Sequence, residues 1–299
     1  MQQVFSFNKL SQDPTQDPAR WALLPGLCSQ AAGGDPRRAD DLAIAWFLFY
    51  SAAHLFDQVE DQDPIEDGAP AWTPGVSVNL STGMLFAASL ALNRMHQAER
   101  NRGIAAQITN DFYRSLLTMC NGQHLDLVTP QPSLEQWMQI AGAKSGAFFR
   151  LACRAGATVA TDQPAIVDAF GEYGFRLGLL LQILDDLGDF RTLTSSGESI
   201  LSPDAGRSLA VAYAREVLPA DQRVALMEMV ASASANAKAT QKVIELLTES
   251  GAGLYLDIEI ERQRELGRQA LLTTNPQPPV GNILLSLLTD LGKDSFSAE

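Results

Sequence analysis

Apolar residues recur at three-to-four spacing along almost the whole chain, and no window of strict alternation lasts long enough for a sheet. A chain with that one period buries its apolar stripes helix against helix. The fold class expected is therefore all-α, an antiparallel helical bundle around a central cavity. Helices are expected over 20–32, 38–61, 77–99, 102–127, 133–160, 164–190, 206–217, 221–249, 253–271 and 280–291. Pro- and Gly-containing breaks such as Gly33-Gly34-Asp35-Pro36 and Thr129-Pro-Gln-Pro132 separate them, with a longer Pro/Gly/acid loop over 63–75. The polar stretch 195–203 reads as a mobile flap and the tail 294–299 as frayed. With 299 residues, 46% of them apolar, and no Gly/Ser linker or repeat, a single domain over 1–299 is expected.

One of these helices carries charges that it has little reason to accept. Asp185 and Asp189 lie four apart in a stretch otherwise built of leucine and isoleucine, and Gln182 and Gly178 continue their face toward the N-terminus. Like charges at that spacing repel, and a hard divalent cation removes the conflict, because magnesium takes a few carboxylates plus substrate phosphates. The segment from Ala43 to Asp61 repeats the design, an apolar helix ending in acids with Asp57 and Asp61 again four apart. A helix end running into solvent is the other reading of either cluster. Two helices with such ends brought together would form a cavity with a carboxylate mouth and an apolar interior. That shape suits a diphosphate joined to a hydrocarbon tail.

The net charge of −13 argues against nucleic acid or an anionic membrane surface as the main partner. Cys28, Cys120 and Cys153 each sit in a mostly apolar helical pattern and read as reduced core residues, because an odd count without CxxC spacing gives no disulfide or zinc framework. The longest apolar run, Ala43 to Phe56, reads as too short for a membrane span. No basic-then-apolar signal opens the chain, so a cytoplasmic location is expected.

Six segments in order resemble the trans-isoprenyl diphosphate synthases (polyprenyl synthetases) of the class I isoprenoid synthase superfamily. Asp185-Asp186-Leu-Gly-Asp189 is similar to the family's second aspartate-rich motif, and Asp57-Gln58-Val-Glu60-Asp61 to the first, with glutamine in place of its second aspartate. Gly122-Gln123-His-Leu-Asp126-Leu127 resembles a GQxxDL segment, Lys144-Ser145 a KT segment, and Gly206-Arg207-Ser208-Leu209 a GKxTLP segment. The stretch Glu249 to Tyr255 resembles a late helix start.

The resemblance implies an isoprenoid synthase fold and a magnesium-dependent prenyltransferase acting on an allylic prenyl diphosphate, as a homodimer. Asp57, Asp61, Asp185 and Asp189 take the metal-ligand positions, with Asp186 behind them.

Among the remaining site residues, Lys144 and Gln182 carry a structural reading beside the functional one. Lys144, among small neighbours, can stabilise a leaving diphosphate or be an ordinary surface lysine. Gln182 can orient the diphosphate, face an allylic cation, or be a buried structural amide. Ser145, Gln123, Asp126 and Arg207 are candidate substrate contacts. Ala53, Phe49 and Trp46, one, two and three turns before Asp57, are candidate walls for the hydrocarbon. His54, one turn before Asp57, reads first as a hydrogen-bonded core residue.

Two basic segments of the family's elongating enzymes have no counterpart here. Only Arg20 is basic in the 20–25 stretch, and the region after Asp61 reads Asp63-Pro-Ile-Glu66-Asp67 where the family carries an arginine pair. A second diphosphate beside the first needs cations to offset its charge. The sequence thus supports binding of the allylic substrate and leaves the acceptor open: isopentenyl diphosphate, a non-diphosphate acceptor, or the substrate's own double bond, as in a terpene cyclase. The alternative is a weak or silent homologue that forms a heteromer with an active synthase. Retention of Asp185, Asp186 and Asp189 favours an enzyme.

Overall fold

Every regular element among the described residues is helical, which is the all-α class expected. The computed structural model describes residues 21–61, 72–98, 102–195, 201, 203–233 and 237–291. Arg20, the acidic loop after Asp61, most of the polar 195–203 stretch and the 294–299 tail lie outside them. The helices are α1 (Leu24–Ala31), α2 (Asp40–Glu60), α3 (Pro74–Ala98), α4 (Arg102–Val128), α5 (Leu134–Ala141), α6 (Ala147–Thr158), α7 (Pro164–Ser195), α8 (Leu209–Val217), α9 (Ala220–Ala233), α10 (Ala237–Glu249), α11 (Ala252–Thr273) and α12 (Val280–Asp290). A π-helical segment, Gly142–Gly146, joins α5 to α6, and a 3-10 turn, Pro203–Arg207, precedes α8.

These elements group into two compact units. The first draws on the chain up to Phe112, on Ala152–Gly171 and on the chain from Leu271. Its centre is the α2–α3 hairpin. Two acids in the first turn of α2, Asp40 and Asp41, suit the positive end of the helix dipole, and Asp41 also pairs with Arg94 at 2.9 Å. Leu42, Ala45, Trp46, Phe49 and Ala52 recur at helical spacing and are buried. Removing Trp46 and Phe49 from water contributes roughly 1.5–3 kcal/mol each. Helix α1 meets α6 backbone to backbone: a Cβ on Gly156 would lie 2.2 Å from the Pro25 carbonyl oxygen. Cys28 and Cys153 are buried in the same interface, where burial and a hydrogen bond with Cys28 push the Cys153 thiol up.

By length and composition, Pro36–Glu60 (25 residues, mean hydropathy 1.2) and Pro74–Gln97 (24 residues, mean hydropathy 1.5) are long enough to cross a bilayer. Length therefore does not exclude a span, contrary to the expectation from the Ala43–Phe56 run. Each of the two helices buries a face inside this unit, as the core helices of globular proteins also do.

The second unit comprises Tyr113–Leu151 and Glu172–Ala270. Leu177, Leu180, Ile183 and Leu187 of α7 form its buried ridge, and Leu256 and Ile260 of α11 are buried as well. A polar chain crosses its interior. Arg176 donates to Glu172 at 2.7 Å and to Gln263 at 3.2 Å, and Gln263 donates to the buried Glu259.

Some sequence expectations shift here. Helix α7 runs on to Ser195 instead of stopping at 190, and 133–160 is interrupted by the π segment. Cys120 is exposed, not a core residue, because its side of α4 also presents Tyr113 and Leu117 outward. His54 is exposed too and lies 3.3 Å from the Gln58 amide nitrogen, so it is not a core histidine.

One buried group gives a stability test. Ser81 on α3 has no exposed surface, and its hydroxyl has no hydrogen-bond partner among the described residues. An unsatisfied buried hydroxyl costs about 1–3 kcal/mol, so Ser81→Ala is expected to raise stability by about 1 kcal/mol. The readout is a higher urea midpoint with an unchanged slope. A lower midpoint would mean that the hydroxyl binds an internal water.

Candidate active site

Three backbones meet in the second unit because two glycines allow it. A Cβ on Gly178 of α7 would lie 2.3 Å from the Ser145 carbonyl oxygen, and one on Gly122 of α4 would lie 2.9 Å from the Lys144 backbone nitrogen. Any side chain at either position would separate the helices. The segment held between them, Gly142–Gly146, is a π turn, a form found often at functional sites.

This packing sets the polar side chains. Lys144 Nζ donates to Asp126 Oδ2 at 2.6 Å, with both side chains only 19% exposed. Ser145 Oγ donates to Gln182 Oε1 at 2.9 Å. Gln123 Nε2 is buried with no hydrogen-bond partner among the described residues. Such a donor is suited to a ligand oxygen or a water.

On α7 the three aspartates differ. Asp185 and Asp189 are exposed and share a face, whereas the Asp186 side chain is rotated about 100° from Asp185. The Asp186 carboxyl is turned inward and accepts the Leu209 N–H at 2.5 Å. Burial pushes its pKa up to about 8, the Leu209 hydrogen bond opposes this, and the charges of Asp185, Asp189 and Asp126 add to the rise. The motif lies within α7 and not at its end, since the helix continues past Asp189 to Ser195. That removes the reading of this cluster as a solvated helix end. Arg207, half-buried, closes the 3-10 turn two residues before Leu209.

The first unit holds the other cluster. Asp57 and Asp61 are half-buried at the C-terminal end of α2, where Asp61 N–H donates to the Asp57 carbonyl at 2.8 Å. The last turn of α2 contains no basic residue. Acids there oppose the helix dipole as well as each other, a local conflict that a cation resolves. Deeper on α2, Ala53 is half-buried. Phe49 packs on Phe112 with ring centroids 5.5 Å apart, and Trp46 is wholly enclosed beside Tyr50.

The donor set fits magnesium: carboxylate oxygens at helical spacing, with cationic Lys144 neutralised by its own carboxylate partner. Among the described residues no three His, Cys, Asp or Glu side chains are placed to hold an ion by themselves. A magnesium ion held by either pair would therefore complete its coordination with oxygens from a bound phosphate or from water.

The sequence set Asp186 behind the metal positions but did not show its partner, the Leu209 N–H, nor the π segment. A signal for the former was present: Ser208 before the apolar Leu-Ala-Val run marks a helix start whose free N–H groups need acceptors.

An all-α fold with paired aspartates on its helices is what the resemblance to the isoprenoid synthases implies. Residues 22–247 match the polyprenyl synthetase family model, and the chain belongs to that family. It is 28% identical over 243 residues to a short chain isoprenyl diphosphate synthase of Methanothermobacter thermautotrophicus, covering 77% of this chain and 72% of the relative. It is also 28% identical over 173 residues to a geranylgeranyl diphosphate synthase of Mycobacterium tuberculosis, covering 56% of this chain and 48% of that one. The fold is shared with geranylgeranyl pyrophosphate synthetase from Pyrococcus horikoshii (TM-score 0.77, 21% identity, 90% of this chain and 84% of that one). It is shared likewise with a Caulobacter crescentus polyprenyl synthase complexed with calcium and isoprenyl diphosphate (TM-score 0.75, 20% identity, 95% of this chain and 90% of that one).

Proposed function

We propose that this chain is a magnesium-dependent prenyltransferase that ionises an allylic prenyl diphosphate and passes the prenyl group to an acceptor. The observation that carries the reading is the arrangement of Lys144–Asp126 and Ser145–Gln182 against the helix bearing Asp185 and Asp189. When bound, magnesium would draw negative charge onto the leaving diphosphate. Lys144, held in place by Asp126, supplies a fixed positive charge where that anion develops. Asp185 and Asp189 are the proposed metal ligands of the second unit, and Asp57 and Asp61 are proposed as a carboxylate pair for a divalent cation on the strength of their own helix end. The Ser145 hydroxyl fixes the Gln182 amide, which presents its dipole to the allylic carbon as the C–O bond breaks. Gln123 and Arg207 are proposed contacts for the diphosphate and half-buried Ala53 for a hydrocarbon, with buried Phe49 and Trp46 backing that face deeper on α2.

Elongation with isopentenyl diphosphate is expected to be poor, because the cations that hold a second diphosphate are missing around Arg20 and after Asp61. The test is product analysis after incubation with allylic diphosphates of several lengths and magnesium, with and without isopentenyl diphosphate. Efficient elongation at micromolar isopentenyl diphosphate would show that other cations rebuild the acceptor site.

A homodimer is proposed as well. Phe86 and Leu90 on α3 are 68% and 61% exposed, and Leu117 on α4 is 71% exposed, so each helix leaves large apolar side chains in water. A monomer mass by light scattering across a wide concentration range would refute it.

A further inference from the structure

We infer that Asp186 is a positioning residue: its carboxyl accepts the Leu209 N–H and so ties the turn carrying Arg207 to the helix that carries Asp185 and Asp189. The inference rests on the proposed function for what Arg207 binds, and on geometry for the tie itself.

Helix α8 begins with N–H groups that have no partner inside the helix. Ser208 Oγ takes the Val211 N–H at 3.3 Å, and Asp186 Oδ2, from a residue 23 positions earlier, takes the Leu209 N–H at 2.5 Å. On its other side the turn is held just as closely. A Cβ on Gly206 would lie 2.9 Å from the Pro130 carbonyl oxygen, and Arg215 donates to the carbonyls of Gln131 at 2.8 Å and Pro132 at 3.0 Å. Arg207 lies between these anchors, and Asp186 is the one that reaches the aspartate helix. Offset by about 100° from Asp185, it cannot present its carboxyl on the face that Asp185 and Asp189 share. The second acid of the motif therefore carries a different task from its neighbours: what it must supply is an acceptor oxygen, not a charge on the metal.

The experiment measures binding of inorganic pyrophosphate with magnesium, by calorimetry, to the full chain and to Asp186→Asn, Asp186→Ala, Arg207→Gln and the Asp186→Ala/Arg207→Gln double variant. Asparagine keeps an acceptor oxygen, so Asp186→Asn is expected to bind within about threefold of the parent, and Asp186→Ala about tenfold more weakly. In the double variant the loss should match that of Arg207→Gln alone, because both changes act through one segment. Equal losses in Asp186→Asn and Asp186→Ala, or additive losses in the double variant, would overturn the inference. Hydrogen exchange at the Leu209 amide gives a readout free of substrate. Protection should persist in Asp186→Asn and disappear in Asp186→Ala, and unchanged protection in Asp186→Ala would overturn the tie. If the parent chain binds no pyrophosphate, the functional reading fails, while the Leu209 exchange still decides the tie.

Discussion

Asp185→Ala will abolish the rise in melting temperature that pyrophosphate or a prenyl thiodiphosphate produces in the presence of magnesium, and Asp57→Ala will do the same. A ligand that binds only the folded state at a hundredfold excess over its Kd stabilises by about 2.7 kcal/mol, which for a chain of this size is roughly 5 °C. The metal should be obligatory for that gain. Without it, a diphosphate approaching the face shared by Asp185 and Asp189 meets two exposed acids, and the ammonium of Lys144 is already partly neutralised by Asp126. An equal rise in EDTA would count against the metal site decisively. A magnesium-dependent rise that survives Asp185→Ala would leave the metal in place and remove this carboxylate from it.

The carboxylate pairs were legible because they break a rule visible in one dimension: acids four apart in a helix that is otherwise apolar. The structure sharpens the conflict for Asp57 and Asp61, which also sit at the wrong end of the dipole of α2 with no base in the last turn. The helices themselves were legible from their period, with ends displaced by a few residues where no stop signal stands. Arg191-Thr-Leu-Thr contains neither glycine nor proline, and α7 simply runs through it.

What depends on packing between distant segments was not legible. Gly-Ala-Lys-Ser-Gly has too few large side chains to show any period, so nothing in it distinguishes a π turn from the α-helix on either side. Lys144 finds Asp126 only because Gly122 lets α4 approach. The apolar surroundings of Cys120 suggested a core position, yet a helix has more than one side, and the period does not say which side another element covers. The same ambiguity misplaced His54.

Gly178→Ala is expected to destabilise the protein by about 2 kcal/mol and to disable the site with it. In an isolated helix the same change would stabilise by about 1 kcal/mol, because glycine is the poorer helix former. Here the added Cβ would lie 2.3 Å from the Ser145 carbonyl oxygen, 2.6 Å from its carbon and 2.9 Å from the Gly146 Cα. All three are backbone atoms, which cannot rotate away as the end of a side chain can. The π segment must move, and overpacking of that kind typically costs about 1–3 kcal/mol, sometimes more, of which the propensity gain offsets about 1 kcal/mol. The displacement would pull Ser145 from Gln182 and shift Lys144, so pyrophosphate binding should fall together with stability. Gly188→Ala, on the same helix, is the control. Its Cβ would meet nothing within 4 Å, so the propensity term acts alone and the urea midpoint should rise. Opposite signs for the two substitutions would establish that α7 is held against the π segment at Gly178. If Gly178→Ala stabilises as Gly188→Ala does, the close approach that orders Lys144, Ser145 and Gln182 does not exist.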